Sequence, residues 1–380
     1  PTENKLTVSG NCTTAENITV WNNISGLTLY VAEDSRFTTS DNTIATSKNM
    51  TITGPGKLTL NSTATNGITV YNGATVTIDH AVIETIGCDI GALAGGQPAL
   101  IVNTSEVHVD GNVENFKSIT ITGCTISVPN NAVNKNGSIY ESNGSTLAES
   151  VAIDVLKYNL RVAGVWVTSA NAPDILGDGN FIYDAAENKL TVQGYCERAE
   201  GIIIWNHIPG LTVYNRYART LSTSDNVIAT DANMTLTGPG KLTLASSSVN
   251  GILVYDGATL NIENASLEIS GNQGIYGLNH AGLNIRNSTI RIASQNKAVY
   301  GFDKGITFFN CEINEPAGAK VKNGAIVETG GADAKEVTIG APEYTSYGIW
   351  INGNTVSSSN AWDVLGNGVF SYDVKTNTLH

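Results

Sequence analysis

The sequence repeats itself at a fixed offset of 184 positions, and no other feature restricts the fold as much. Glu3-Asn4-Lys5-Leu6-Thr7-Val8 returns as Glu187-Asn188-Lys189-Leu190-Thr191-Val192, so the offset is 187 − 3 = 184. Trp21-Asn22 returns as Trp205-Asn206, and MTITGPGKLTL from Met50 returns as MTLTGPGKLTL from Met234. The register holds without a gap from 3–87 against 187–271, and 49 of those 85 positions are identical. Chance likeness between β-rich segments does not reach that level, so a whole module has been duplicated.

A shorter period runs inside the module. Leu260 and Ile262, then Leu267 and Ile269, alternate with polar residues. Leu283 and Ile285 with Ile290 and Ile292 repeat the pattern, and Ile306 and Phe308 with Cys311 and Ile313 repeat it again. A further strand is marked by Ile252, Ile275 and Val299, at spacings of 275 − 252 = 23 and 299 − 275 = 24. Strict alternation places every second side chain on one face, as in a strand. A helical reading fails because the runs are short, rich in Thr, Ile and Val, and broken by Asn and Gly. Three short strands in about two dozen residues describe one turn of a parallel β-helix. The expected fold is an all-β, right-handed parallel β-solenoid of two tandem modules with about eight coils each. Asn66-Gly67, Asn250-Gly251, Gly54-Pro55-Gly56 and Gly238-Pro239-Gly240 are expected at its corners, where a positive φ is tolerated.

A second doubled segment sets the domain plan. Gly164-Val165-Trp166-Val167 leads to Asp174-Ile175-Leu176-Gly177-Asp178-Gly179 and Tyr183-Asp184. Gly348-Ile349-Trp350-Ile351 leads to Asp363-Val364-Leu365-Gly366-Asn367-Gly368 and Tyr372-Asp373. Tyr183-Asp184 runs through a turn into Lys189–Val192, which predicts a hairpin. Pro1–Leu6 reads as the second half of that hairpin, so the natural unit is expected to begin before Pro1. The domains are then a first solenoid module at 1–162, a head or cap segment at 163–186, a second module at 187–346, and a second head or cap at 347–380.

Composition narrows the function classes. The net charge is −13, which disfavours nucleic-acid phosphates and anionic lipid as partners. No apolar run approaches a membrane span. Charged residues are only 14 %, replaced by Asn, Thr, Ser and Gly, which reads as a secreted or surface-displayed β protein. The five cysteines, Cys12, Cys88, Cys124, Cys196 and Cys311, lack any CxxC spacing, so buried free thiols are expected rather than a zinc site or disulfide framework.

Catalytic constellations are not legible. Arg216 and Arg219, and Arg286 and Arg291, have no convincing acidic partners in neighbouring coils. The carboxylates shared by both copies, such as Glu84 with Glu268, read as outward charges rather than the facing pair a hydrolase needs. The histidines show no HxH or HExxH spacing, and the DILGDG segment lacks the spacing of a calcium loop. No cofactor or metal is expected. Aromatics remain: Trp21 with Trp205, and Tyr30 with Tyr214, are matched between copies. Such rings either stack on sugars or pack a coil edge. For Trp166 and Trp350, in the head segments, edge packing is the expectation. One stretch diverges completely: Val31–Phe37 aligns with Asn215–Leu221 without a single match, and Arg216 and Arg219 stand in it. If the divergence is functional, these loops should sit beside Trp21 and Trp205 and tune each module for its ligand. If it is drift, they are exposed corners only.

With N-G-I-x-V coils followed by two alternating strands, the sequence resembles the pectate-lyase-type right-handed β-helix superfamily. It is closest in character to non-catalytic carbohydrate-binding β-helix domains. The G-[VI]-W-[VI] … Y-D segment resembles an element of large bacterial surface proteins. The resemblance implies a fold and leaves the function open, since lyases, hydrolases and adhesins share it. The expected function is a non-enzymatic, secreted or surface solenoid that binds glycan or acts as an adhesin, through Trp21, Tyr30, Trp205, Tyr214, Arg216 and Arg219. The alternatives are a β-helix polysaccharide lyase or glycoside hydrolase, and a passive stalk.

Overall fold

The computed structural model describes residues 4–63, 66–93, 96–341, 346–357, 361, 364–365, 368–373 and 376–380. Pro1, Thr2 and Glu3, and Asp363, Gly366 and Asn367 of the second head segment, lie outside the described residues. All regular elements described are strands. No helix among the described residues is long and apolar enough to cross a membrane. Backbone contacts divide the chain into two compact units, 1–158 with 166–173, and 159–165 with 174–380.

Unit 1 is a parallel β-solenoid with three stacked sheets, each of the first five turns giving one strand to each. The first sheet stacks Lys5–Val8, Leu27–Val31, Met50–Thr53, Thr75–Asp79, Ala99–Asn103 and Ser118–Thr122. The second begins Cys12–Thr13, Ser35–Thr39, Lys57–Ser62, and the third Val20–Asn22, Ile44–Thr46, Asn66–Val70. Leu27 pairs with Met50, Met50 with Val76, and Val76 with Leu100, so successive turns take 23, 26 and 24 residues. Unit 2 repeats the plan from Lys189–Val192 and Leu211–Asn215 through Gly282–Arg286 to Ile306–Phe309, but strands such as Thr259–Gly277 run through the corners, so its three sheets are the three faces of one continuous sheet.

The alternation of the sequence becomes an inside and an outside. Ile252, Leu260, Ile262 and Ile269 are fully buried, and Leu267 nearly so. Leu260 pairs with Leu283, Ile262 with Ile285, Leu267 with Ile290, and Ile269 with Ile292, so like sits on like in successive turns. Burying one large aliphatic side chain contributes about 1.5–3 kcal/mol, and a central strand such as Leu27–Val31 buries three. Between them stand outward Thr, Asn and Glu. Polar side chains also enter the interior where they can pair across turns: Asn22 Nδ2 donates to Thr46 Oγ1 at 2.9 Å, and Asn206 to Thr230 at 3.0 Å.

Three expectations need correction. Among the described residues the first sheet of each unit stacks six strands, giving about six turns rather than about eight. The turns are longer than an eight-coil count allows, and the end of each module is spent on a closing device. In that device the third predicted coil stacks directly through Ile306 and Phe308 but not through Cys311 and Ile313. Val151–Val155 inserts antiparallel between Glu106–Val109 and Cys124–Val128, and Glu336–Gly340 inserts between Ile290–Ala293 and Glu312–Glu315. The inserted strand supplies Ile153 or Ile339 to the core and pairs an edge that parallel stacking would leave open.

The third correction concerns the corners. Gly54 and Gly238 do adopt φ +127°, as the corner role requires. Gly67 and Gly251 are not in that region; they are small because neighbours crowd them. A Cβ on Gly251 would lie 2.3 Å from Ile269 Cγ2, and one on Gly67 would lie 3.1 Å from Thr85 Cγ2. Their partner Asn250 instead extends an amide ladder, donating Nδ2 to Asn226 Oδ1 at 2.8 Å.

The predicted hairpin is present in unit 2. Phe181–Asp184 pairs antiparallel with Lys189–Val192 and closes the first sheet. Leu160–Val162 pairs antiparallel with Ile204–Asn206 and covers the third. In unit 1, Lys5–Val8 and Val20–Asn22 are the terminal strands of their sheets, and Leu6 is exposed.

Candidate functional site

The outward face of the third sheet in unit 2 carries a column of large side chains. Trp205 pairs with Ala229, Ala229 with Leu253, Leu253 with Tyr276, and Tyr276 with Tyr300. Strand spacing makes these four steps about 19 Å long. At one end Tyr276 and Tyr300 stack at 5.9 Å with an interplanar angle of 14°, and the Lys297 ammonium sits 3.5 Å above the Tyr300 ring. At the other end the small Ala229 lets the indole of Trp205 lean across one turn, so that Nε1 donates to the Tyr255 hydroxyl at 2.9 Å. The His207 ring lies 5.0 Å from the indole, and His207 Nδ1 is 2.5 Å from Asp231 Oδ2. Arg161, opposite Trp205 on the covering strand, places its guanidinium 5.3 Å from that ring. Burial pushes the Tyr255 phenol up, keeping it a neutral acceptor for the indole N–H.

Trp205, Leu253, Tyr276 and Tyr300 are half-buried, and Ala229 is buried among them. Sequence reasoning found Trp205 and missed Tyr276 and Tyr300. The signal was present: Ile252, Ile275 and Val299 mark successive inward positions, and the residue after each is Leu253, Tyr276 or Tyr300 on the opposite face. In unit 1 the same column reads Trp21, Ala45, Thr69, Gly91, Glu114. Only the first aromatic pair is shared, with Trp21 and Tyr71 at 5.5 Å. Trp21 is 53 % exposed: among the described residues no strand pairs outside Val20–Asn22 as Leu160–Val162 pairs with Ile204–Asn206.

The six residues singled out from the sequence do not form one site. Trp21 and Trp205 are on the third sheets of their units. Tyr30 and Tyr214 point outward from the first sheets, between Thr7 and Thr53, and between Thr191 and Thr237. Lys5 Nζ covers the Tyr30 ring at 3.9 Å. Arg216 and Arg219 stand at the corner that joins Leu211–Asn215 of the first sheet to Arg219–Thr223 of the second. The divergent loops therefore do not sit beside Trp21 and Trp205; the tryptophans belong to another sheet. What the loops rest on is the invariant Gly-Pro-Gly of the next turn. A Cβ on Gly56 would be 2.3 Å from the Glu33 backbone, and one on Gly240 would be 2.3 Å from that of Tyr217. Backbone stacked on backbone fixes the platform and leaves the loop side chains free to differ.

Head-segment tryptophans divide. Trp166 is half-buried under the Lys157 ammonium at 4.1 Å, whereas Trp350 is exposed. The shared pair Glu84 and Glu268 is committed to ion pairs, with Lys57 at 2.6 Å and with Lys241 at 2.5 Å. In each case the lysine holds the carboxyl below its ordinary range. Asp174 accepts from the Gly179 amide at 2.9 Å, a turn-forming role. A groove beside the inserted strand of unit 2 is lined by Arg291, Asn314, Glu315, Pro316, Glu336 and Thr338. All five cysteines are unbridged. Cys311 is buried and donates to the Ile285 carbonyl at 3.3 Å, while its counterpart Cys124 is only partly buried. Among the described residues no three or more His, Cys, Asp or Glu side chains are grouped to hold a metal ion.

No protein-family model, curated protein or solved structure matches the chain.

Proposed function

We propose that this chain is a non-enzymatic binding solenoid, secreted or displayed on a cell surface, that takes a carbohydrate along the third sheet of unit 2. One observation carries the reading: the column from Trp205 to Tyr300, with Tyr255 beside it. Sugar rings offer apolar C–H faces to aromatic rings and hydroxyls to flanking polar groups. Here His207, Asp231, Asp256 and Lys297 flank the rings. The register makes the platform rigid, since each ring is held on a strand. The reading extends to a right-handed coil of the pectate-lyase-like superfamily, to no nucleic-acid partner, and to no cofactor.

A second reading, a polysaccharide-cleaving β-helix enzyme, draws on the groove where Arg291 lies with Glu315 and Glu336. Both carboxylates are exposed there. A glycan array probed with the whole chain, followed by product analysis on the glycans bound, separates the two. The binding reading expects retained, uncleaved glycan. New reducing ends or unsaturated uronate products, lost on changing Glu315 or Glu336, would establish the enzyme instead.

A further inference from the structure

The corner between the first and second sheets of unit 2 carries a group of side chains that unit 1 lacks altogether. The Arg219 guanidinium lies 5.1 Å from the Tyr195 ring and 5.2 Å from the Tyr217 ring. Arg216 lies 5.4 Å from Tyr217 on the same loop. Tyr195 is 63 % exposed and Tyr217 47 %, so these are open ring faces rather than core. Arg219 is anchored: its Nε donates to the Gln193 carbonyl and its Nη1 to the Ala218 carbonyl. Nη2 is left without a protein acceptor among the described residues. Arg216 is exposed and makes no hydrogen bond within the described protein. Neither arginine is ion-paired with a carboxylate among the described residues, in a chain whose net charge is −13. Asp178, tied through Asn180 to the Tyr195 carbonyl, directs both carboxylate oxygens to Asn180.

At the matching positions unit 1 has Asn11, Ala32, Glu33 and Ser35. All four differ from Tyr195, Arg216, Tyr217 and Arg219, while the Gly-Pro-Gly platform beneath is unchanged. Packing therefore does not require these side chains. Unpaired guanidinium on an acidic protein is placed to receive an anion, and a guanidinium held between two phenols presents its fork beside two stacking faces. We propose that this corner is a second binding site, specific to unit 2, for an anionic saccharide. The carboxylate or sulfate sits on the Arg216 and Arg219 guanidinium groups, and the sugar ring lies against Tyr195 or Tyr217. The site is on different sheets from the aromatic column, so the two readings fail independently.

The test is titration of the whole chain with three probes: a sulfated heparin oligosaccharide, a hyaluronan oligosaccharide whose only anions are carboxylates, and a neutral cello-oligosaccharide. Either anionic probe should bind, with affinity falling as salt rises. R216A/R219A should weaken that binding about tenfold or more, the loss of one or two charged hydrogen bonds. Y195A/Y217A should weaken it as well, and Y276A/Y300A should leave it unchanged. Which anionic probe binds decides between sulfate and carboxylate. Grafting residues 31–37 onto 215–221 should abolish binding with little change in melting temperature, which controls for misfolding. Absence of binding by both anionic probes, unchanged affinity in R216A/R219A, or binding of the neutral probe that R216A/R219A weakens equally would overturn the proposal.

Discussion

Truncation of three consecutive residues in one coil tests the solenoid at its most specific point. Leu260 and Ile262 are fully buried and face Met234 and Leu236 in the turn before, and Leu283 and Ile285 in the turn after. Asn261 between them faces outward, accepting from Asn284 Nδ2 at 2.9 Å. Leu260→Ala and Ile262→Ala each remove a stacked side chain whose neighbours are fixed above and below by backbone pairing. The cavity can collapse little, so each should cost about 3 kcal/mol within the usual range of 2–5. Asn261→Ala loses one partly exposed hydrogen bond, about 0.5–1.5 kcal/mol. With an m-value of about 3 kcal/mol/M in urea, the two core variants should unfold about 1 M earlier and the middle one less than about 0.5 M earlier. Urea denaturation followed by circular dichroism reads this directly. Three equal shifts, or a larger effect at Asn261, would refute the period-two assignment, because a one-residue slip reverses inside and outside.

Other outcomes follow from the same geometry. Gly240→Ala places a Cβ 2.3 Å from the Tyr217 backbone and should destabilise by about 1–3 kcal/mol in the same denaturation assay. Cys311 and Cys124 should react slowly with a thiol reagent until the protein unfolds: Cys311 is buried, and burial pushes the Cys124 thiol up, reducing its thiolate. Rapid native labelling of Cys311 would contradict the inward assignment. Desolvation at Asp154 is outweighed by hydrogen bonds from His108, at 2.8 Å, and Ser127, which hold its carboxyl below the ordinary value. That stabilisation is present above the unfolded pKa of about 3.9 and is lost as pH falls through the lower folded value. Asp154→Asn should therefore lower the urea midpoint at pH 7, with the gap closing in acid.

The fold was legible because a solenoid writes its core in a local code. Alternation fixed the inward face, and the 23- and 24-residue spacing of Ile252, Ile275 and Val299 fixed which residues stack. The strands that close each module were not legible. Val151–Val155 and Glu336–Gly340 have the same alternating pattern as a coil strand, and nothing local distinguishes antiparallel insertion from one more parallel turn. The Asn-Gly corners show a related limit: a glycine needed for space and one needed for positive φ look the same in sequence. The candidate site was legible only in part. Residues matched between copies drew attention to Trp21 and Tyr30, whereas Tyr276 and Tyr300 are unique to the second copy. Arg216 and Arg219 were visible as a divergence, but their separation from the tryptophans depends on which sheet each strand joins.

The reading of this chain as a carbohydrate binder rests on the column from Trp205 to Tyr300. Its most direct test is isothermal titration of the glycan retained on the array against the unaltered chain and against Tyr276→Ala/Tyr300→Ala. Loss of two stacking rings should weaken binding about tenfold or more while melting temperature stays near that of the unaltered chain. An unchanged affinity in the double variant would contradict the account and place the glycan elsewhere on the protein.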